Sequence, residues 1–292
     1  MDPVDLADLT AVAIEAARAA GAVIRAHVGQ DVAVRRKAGG DTYASQVLTK
    51  VDLAAEAAIL RLLRPTCLRY DLALLSEERP DDGGRHEKDY FWCVDPLDGT
   101  LAFVNGTPGF SVAIALVARD GTPHIGVVFD PSAGHLYHAA RGRGAFKDGL
   151  PWQPSQPNPY LTYVTDKRLA DTPQADVIRL SLKPYARPFT APIRELHGGG
   201  AVLNAIHVAE QGPAVLLKPP KPQDGGGSLW DYAATACLYH ELGLPATDYA
   251  GRVLDLNRRG SIFMNHAGVR YVNADGSGEV DTLPNGPSAR PN

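Results

Sequence analysis

The sequence predicts a mixed α/β protein built in layers, with no single motif needed to say so. Apolar residues recur at helical spacing in some stretches and crowd into short aromatic or β-branched runs in others. The two kinds of segment follow one another along the chain, an order that suits helices packed on sheets. The 292 residues are 45% hydrophobic and 21% charged, enough apolar material for one large domain or two smaller ones.

The elements are justified in chain order. Residues 4 to 28 read as one amphipathic helix, with Leu9, Val12, Ala13, Ala16, Ala20, Val23 and Ile24 on one face and Glu15, Arg18 and Arg25 elsewhere. A polar loop, RRKAGGDTYASQ, follows, and its Arg35-Arg36-Lys37 run reads as solvated or as reaching toward a site. Thr49 and Asp52 then mark the start of a second helix over DLAAEAAILRLLR. ALLSEE is a short apolar run ending in two glutamates, DDGGRHEK is a surface loop, and YFWCV suits a buried strand. GFSVAIALVA and HIGVVFD flank Asp120-Gly121 as a hairpin, and GHLYHAARG and GAFKDG add short strands. The proline-rich KDGLPWQPSQPNPY is the expected boundary, giving a first half 1–155, a second half 156–274 and a loose tail 275–292. In the second half, LTYVTDKRL and DVIRLSL read as strands. GGGAVLNAIHVAEQG reads as a glycine turn and helix, KPPKPQDGGGS as an irregular loop, and LWDYAATACLYHELG as a helix with Asp231 in its first turn.

Composition narrows the function. The formal net charge of −4, without long blocks of like charge, points to neither a nucleic-acid polymer nor a membrane surface as partner. Cys67, Cys93 and Cys237 are odd in number and form no CxxC pair, so buried free thiols are expected in place of disulfides or a thiolate zinc site. The histidines show no HxxxH or HxH pattern. The acidic start, MDPVDLADLT, has neither the basic flank nor the apolar block of a signal peptide, and the expectation is a cytoplasmic protein.

The stretch FWCVDPLDGT concentrates the chemistry. Asp95 falls where the strand is expected to end, because Pro96 cannot donate a ladder hydrogen bond. The turn Pro96-Leu97 brings Asp98 back toward Asp95, and a helix opening at Gly99-Thr100 would offer free amides to a phosphate. Two aspartates in one tight turn repel each other, and a cation resolves that repulsion. An all-oxygen set that includes the Leu97 carbonyl suits Mg²⁺, and paired ions suit in-line displacement at phosphorus. A plain reading stays open beside it, that Asp95 and Asp98 hold a turn and cap a helix. Against that reading stand Glu77-Glu78 at the end of one apolar run and Asp231 at the start of a helix. The spacing D-x-x-D-G-T differs by one residue from the haloacid-dehalogenase pattern DxDGT, so Asp95 is not read as a nucleophile.

These segments resemble the inositol monophosphatase family of Mg²⁺-dependent, lithium-sensitive phosphatases. TKVD at 49–52, SEE at 76–78, VDPLDGT at 94–100 and LWDYAA at 229–234 occur in the family's order, and GVVFDPSAGHLYHAARGRGAF is similar to the segment after its signature. The resemblance spans residues 5 to 273 and implies a layered α/β/α/β/α sugar-phosphatase fold with two sub-domains. It further implies a first Mg²⁺ on Glu77, Asp95 and the Leu97 carbonyl, a second on Asp95, Asp98 and Asp231, and a possible third near Glu77. Gly99 and Thr100 would bind the phosphate through backbone amides, with Asp98 and Asp231 also facing the substrate. Thr100, hydrogen-bonded to Asp52, and Glu77 would take the proton of the attacking water.

The resemblance is nearest to the 3'(2'),5'-bisphosphate nucleotidase branch, which implies adenosine 3',5'-bisphosphate as substrate. Inositol phosphate or another sugar or polyol phosphate is the runner-up, and FVNGTPGF is similar to that branch as well. Where the nucleotidase branch often carries a lysine, this chain offers Asn204. Lys218 and Lys221 could supply cations for a second phosphate or be ordinary loop lysines. Other expectations are a small-molecule phosphate monoester as partner and a monomer or homodimer. A non-catalytic phosphate-binding protein that kept the fold is the reading from another class.

Overall fold

The computed structural model describes residues 3–28, 43–154, 158–166, 169–189 and 191–274. The Arg35-Arg36-Lys37 run, part of the proline-rich boundary and the tail 275–292 lie outside the described residues.

Two long helices open the chain, α1 (Pro3–His27) and α2 (Tyr43–Tyr70). Leu9, Ala13, Ala16, Ala20 and Ile24 are buried on α1, as the helical spacing predicts. Helix α2 begins before Thr49, so Asp52 sits inside it and not at its start, and it runs through Pro65 to Tyr70. Its buried apolar face begins before the expected span, at Val51, and runs through Ala55, Ile59 and Leu63. Tertiary burial of this kind outweighs the cap signal at Thr49 and Asp52.

The first sheet contains β1 (Ala73–Ser76), β2 (Tyr90–Asp98), β3 (Ser111–Ala118), β4 (Pro123–Asp130), β5 (His135–Ala140), β6 (Ala145–Lys147) and β7 (Leu150–Pro151), in that spatial order. β1 is parallel to β2, and the remaining pairs are antiparallel. The second sheet has the order β11 (Ala246–Thr247), β12 (Val269–Asn273), β10 (Ala214–Lys218), β8 (Thr162–Thr165), β9 (Arg194–His197). There β8, β9 and β10 run parallel, and β12 is antiparallel to β10. The other α-helices among the described residues are α3 (Thr100–Val104), α4 (Ala175–Ala186), α5 (Ala201–Glu210) and α6 (Leu229–Leu242).

Three hydrophobic cores stack these elements into five layers. Trp92 and Val94 of β2 face a core shared with α1 and α2, while the alternate residues Phe91 and Cys93 face one shared with α5 and α6. That middle core reaches the second sheet through Val164, Leu216 and Tyr271. The neighbours Tyr163, Val215, Leu217 and Val272 point the other way, onto Ile178 and Leu182 of α4. The order is therefore helices, sheet, helices, sheet, helix, as expected. Close approach helps to build it, since a Cβ on Gly126 of β4 would lie 2.2 Å from the Ala234 carbonyl of α6.

DVIRLSL, read as a strand, is the body of α4. Ile178, Ser181 and Leu182 are buried while Val177 and Leu180 are exposed, which is helical spacing and not alternation. RELH forms the strand β9 despite three largely exposed residues, because its backbone pairs with β8.

Candidate active site

The site forms where β1 and β2 end and α6 begins. β2 does not stop at Asp95. It continues through Pro96 to Asp98, and the pairing shifts register between Asp95↔Ala113 and Asp98↔Ser111. Three steps on β2 thus face two on β3, a bulge that absorbs the missing proline donor and re-aims the side chains. The Leu97 amide donates to Asp95 Oδ1 at 3.0 Å, fixing that carboxylate over its own turn.

Asp98 is held by a partner far along the chain. The amide of Ala201 donates to its Oδ1 at 3.1 Å and that of Val202 to its Oδ2 at 2.9 Å, so Asp98 closes the N-terminus of α5. The preceding glycines permit this contact. A Cβ on Gly200 would lie 2.1 Å from Asp98 Oδ2, and one on Gly99 would lie 2.2 Å from the Gly109 carbonyl. Gly99 also has φ 81°, a left-handed conformation glycine adopts without strain, and it precedes Thr100 at the start of the short helix α3.

Asp231 stands at the third position of α6 in a capping box, accepting from the Ser228 amide. Carboxylate oxygens of Asp95, Asp98 and Asp231 all lie within 4.8 Å of one another. Glu77, just beyond β1, joins them through a side-chain hydrogen bond with Asp95. Much of Glu77 is exposed, yet its carboxyl end is crowded by Asp231, Glu78 and Asp52.

The electrostatics reflect that crowding. Burial and then Asp231 push Glu77 up to about 7. Burial and then Asp231 push Asp98 up to about 7, although the Val202 and Ala201 amides and Lys218 pull the other way. Burial, Glu77, Asp231 and Asp98 hold Asp95 well above the carboxylate range. Burial raises Asp231 too, against the Ser228 amide and Lys218. Asp52 on α2 is pushed up to about 7 by burial and Glu78, and its buried Oδ1 has no hydrogen-bond partner. The bond from Thr100 that the resemblance implies is therefore not made at that oxygen. A cluster of acids with so little countercharge, and oxygen donors throughout, fits a hard divalent cation.

The structure thus brings Glu77, Asp95, Asp98 and Asp231 together, with Leu97 between two of them and Asp52 close behind Glu78. It adds the α5 amides, which sequence reasoning missed. The glycine triplet before a helix was the available signal, but its partner lies about a hundred residues away. Lys218 enters as well. Burial works against its charge, but Tyr232, Asp166 and Asp231 outweigh that and raise its pKa. Lys218 also lines a cavity of about 660 Å³ at the carboxyl ends of β8 and β10, together with Thr165, Asp166, Gln174, Lys221 and Asn265. This cavity adjoins the acids through Lys218 and is not formed by them.

The inositol monophosphatase family model matches residues 5–276. The chain belongs to the inositol monophosphatase family. The family is one of phosphatases, and the protein is a phosphoric monoester hydrolase of that family. It is 30% identical over 252 residues to the Nus factor SuhB of Salmonella typhimurium, covering 82% of this chain and 85% of that one. It is 31% identical over 215 residues to a histidinol-phosphatase of Chlorobaculum parvum, covering 70% and 73%. The crystal structure of CysQ from Bacteroides thetaiotaomicron shares the fold at a TM-score of 0.72 and 24% identity, over 91% of this chain and 97% of that one. Among the described residues no helix is long and apolar enough to cross a membrane.

Proposed function

We propose that the protein is a Mg²⁺-dependent phosphatase whose first substrate is a nucleoside 3',5'-bisphosphate such as adenosine 3',5'-bisphosphate. The observation that carries this reading is Lys218, placed between the acid cluster and a cavity whose size suits a nucleoside. Lys218 and Lys221 there supply cations for a second phosphate, while the first meets the acids. On this reading the half 1–155 carries most of the ligands, and 156–274 contributes Asp231 and substrate contacts. Lithium inhibition is expected with it.

The all-oxygen donor set supports one assignment of ligands. Glu77, Asp95 and the Leu97 carbonyl would hold one Mg²⁺, Asp95, Asp98 and Asp231 a second, and a third, weaker ion would sit near Glu77. When bound, Mg²⁺ lowers the pKa of water and neutralises charge on the phosphoryl group. The chain's residues do the rest. Gly99 and Thr100 orient the phosphate through backbone amides. Glu77 takes a proton from the attacking water, and the unpartnered Oδ1 of Asp52 supports a second route through the Thr100 hydroxyl. The α5 amides keep Asp98 aimed at the site.

A polyol or sugar phosphate is the second reading. Asp166 favours it, because this half-exposed acid lies within the cavity 3.8 Å from Lys218 and would oppose a second phosphate. The test is a phosphate-release screen with Mg²⁺ on adenosine 3',5'-bisphosphate, inositol 1-phosphate, fructose 1,6-bisphosphate and histidinol phosphate. Turnover led by the bisphosphate nucleotide supports the first reading. An inert nucleotide beside a good sugar or polyol ester overturns it.

A further inference from the structure

We propose that Arg79 is a positioning residue: its ion pair with Glu56 fixes the turn bearing Glu77 against the helix bearing Asp52. This rests on the roles assigned above to Glu77 and Asp52. Residues Ser76 to Arg79 form a tight turn, closed by the Arg79 amide donating to the Ser76 carbonyl at 3.2 Å. The Glu77 amide donates to the Val94 carbonyl of β2, also at 3.2 Å, so one side of the turn is tied to the strand that carries Asp95. The other side is tied by Arg79 Nε, which donates to Glu56 Oε1 at 3.0 Å. Glu56 follows Asp52 by four residues on α2, so the two share a face.

The bland alternative is a surface ion pair of little consequence. Burial argues against it, since Glu56 is only 2% exposed while Arg79 is 44% exposed. A nearly buried carboxylate needs its cation. The neighbours sharpen that need, because Glu78 feels Glu56, Asp52 feels Glu78, and Glu77 feels both Glu78 and Asp52. Four acids on two elements repel one another, and the guanidinium is the charge that an ion pair brings among them. Without it the turn loses this tie to α2, repulsion among Asp52, Glu77 and Glu78 opens the gap even where Glu56 is neutral, and Glu77 and Asp52 lose their spacing. Outer partners of metal and catalytic carboxylates act in this way.

The test compares Arg79→Met, Arg79→Lys and the double variant Glu56→Gln/Arg79→Met. It reads Mg²⁺ affinity by calorimetry, kcat and KM on the best ester of the screen, and the thermal midpoint. Arg79→Met is expected to weaken Mg²⁺ binding and lower kcat by about tenfold or more each, with KM changing by less than about threefold. Arg79→Lys should recover most of both. The double variant removes the unpaired buried charge, so it should regain the thermal midpoint while kcat and Mg²⁺ affinity stay low. A double variant with wild-type kcat and Mg²⁺ affinity would overturn the positioning role. Wild-type protein inert on every ester would instead overturn the functional reading, and Mg²⁺ affinity would still report on Arg79.

Discussion

The carboxyl end of β2 and the carboxyl end of β10, whose Lys218 acts on Asp98 and Asp231, are built differently. At β2, Asp95 and Asp98 meet Asp231 and Glu77; burial raises all four, and neighbouring acids raise Glu77, Asp95 and Asp98 further. At β10, the strand ends in a lysine beside a cavity with mixed charge and ample room. The first region has the fixed, crowded geometry that a cation requires. The second has space and few commitments. On the proposed reading, the contrast teaches that the reaction type is written into one region and the choice of substrate into the other; family membership settles the first and not the second.

The largest effect should come from breaking the acid end. Asp95→Asn is expected to lower Mg²⁺-dependent kcat by roughly a thousandfold or more, as loss of several kcal/mol of metal-assisted stabilisation implies. Circular dichroism should show the fold intact. Turnover within a few-fold of wild type would remove Asp95 from the chemistry. Next comes the contact that joins the halves. In Gly200→Ala the new Cβ would lie 2.1 Å from Asp98 Oδ2, so Asp98 must leave the α5 amides. A stability loss of about 2 kcal/mol by denaturant unfolding is expected from the lost cap and the clash, together with weaker Mg²⁺ binding. An unchanged midpoint would mean the cap is dispensable.

The cavity end should respond more mildly and more selectively. Lys218→Met/Lys221→Met is expected to raise KM for adenosine 3',5'-bisphosphate by about tenfold, from one or two lost charge-assisted hydrogen bonds. KM for inositol 1-phosphate should move far less. Equal shifts for both esters would show that the lysines do not read a second phosphate. The smallest effect concerns pH. Asp52, Glu77 and Asp98 have folded values of about 7, above their ordinary values of 3.8, 4.5 and 3.8. The metal-free fold therefore holds protons on these three groups that the unfolded chain gives up, and the stability they contribute is full below about 4 and is lost as pH rises through about 7. Thermal melts without metal should fall by several degrees between pH 5 and 8, and Mg²⁺ should restore more at pH 8 than at pH 5. A melt rising over that range would reverse the sign of the argument.

Much of this was legible in the chain. The α1 face, the buried FWCV run and the Asp120-Gly121 hairpin follow from local periodicity and turn chemistry. Asp95, Asp98, Glu77 and Asp231 could be picked out because acids at the ends of apolar runs need a reason. What stayed hidden depends on partners distant in sequence. DVIRLSL passes for a strand until the second sheet shows which of its residues are buried. The chain through Pro96 looks broken until β3 accommodates the bulge. Asp95 and Asp98 read in the sequence as either turn-and-cap residues or ligands, whereas the fold uses Asp98, and Asp231 as well, as a cap that also lies in the cluster. No local pattern pairs Asp98 with Gly200, or Arg79 with Glu56.

The account's central claim is that the fold gathers these acids to hold Mg²⁺. Calorimetric titration of metal-free protein with Mg²⁺ at pH 7, in two buffers of different ionisation enthalpy, tests it most directly. Because Glu77 and Asp98 sit near pH 7 when no cation is present, binding should be saturable and should release protons. It should disappear in Asp95→Asn. Saturable wild-type-like binding by Asp95→Asn, or binding with no proton release, would contradict the account.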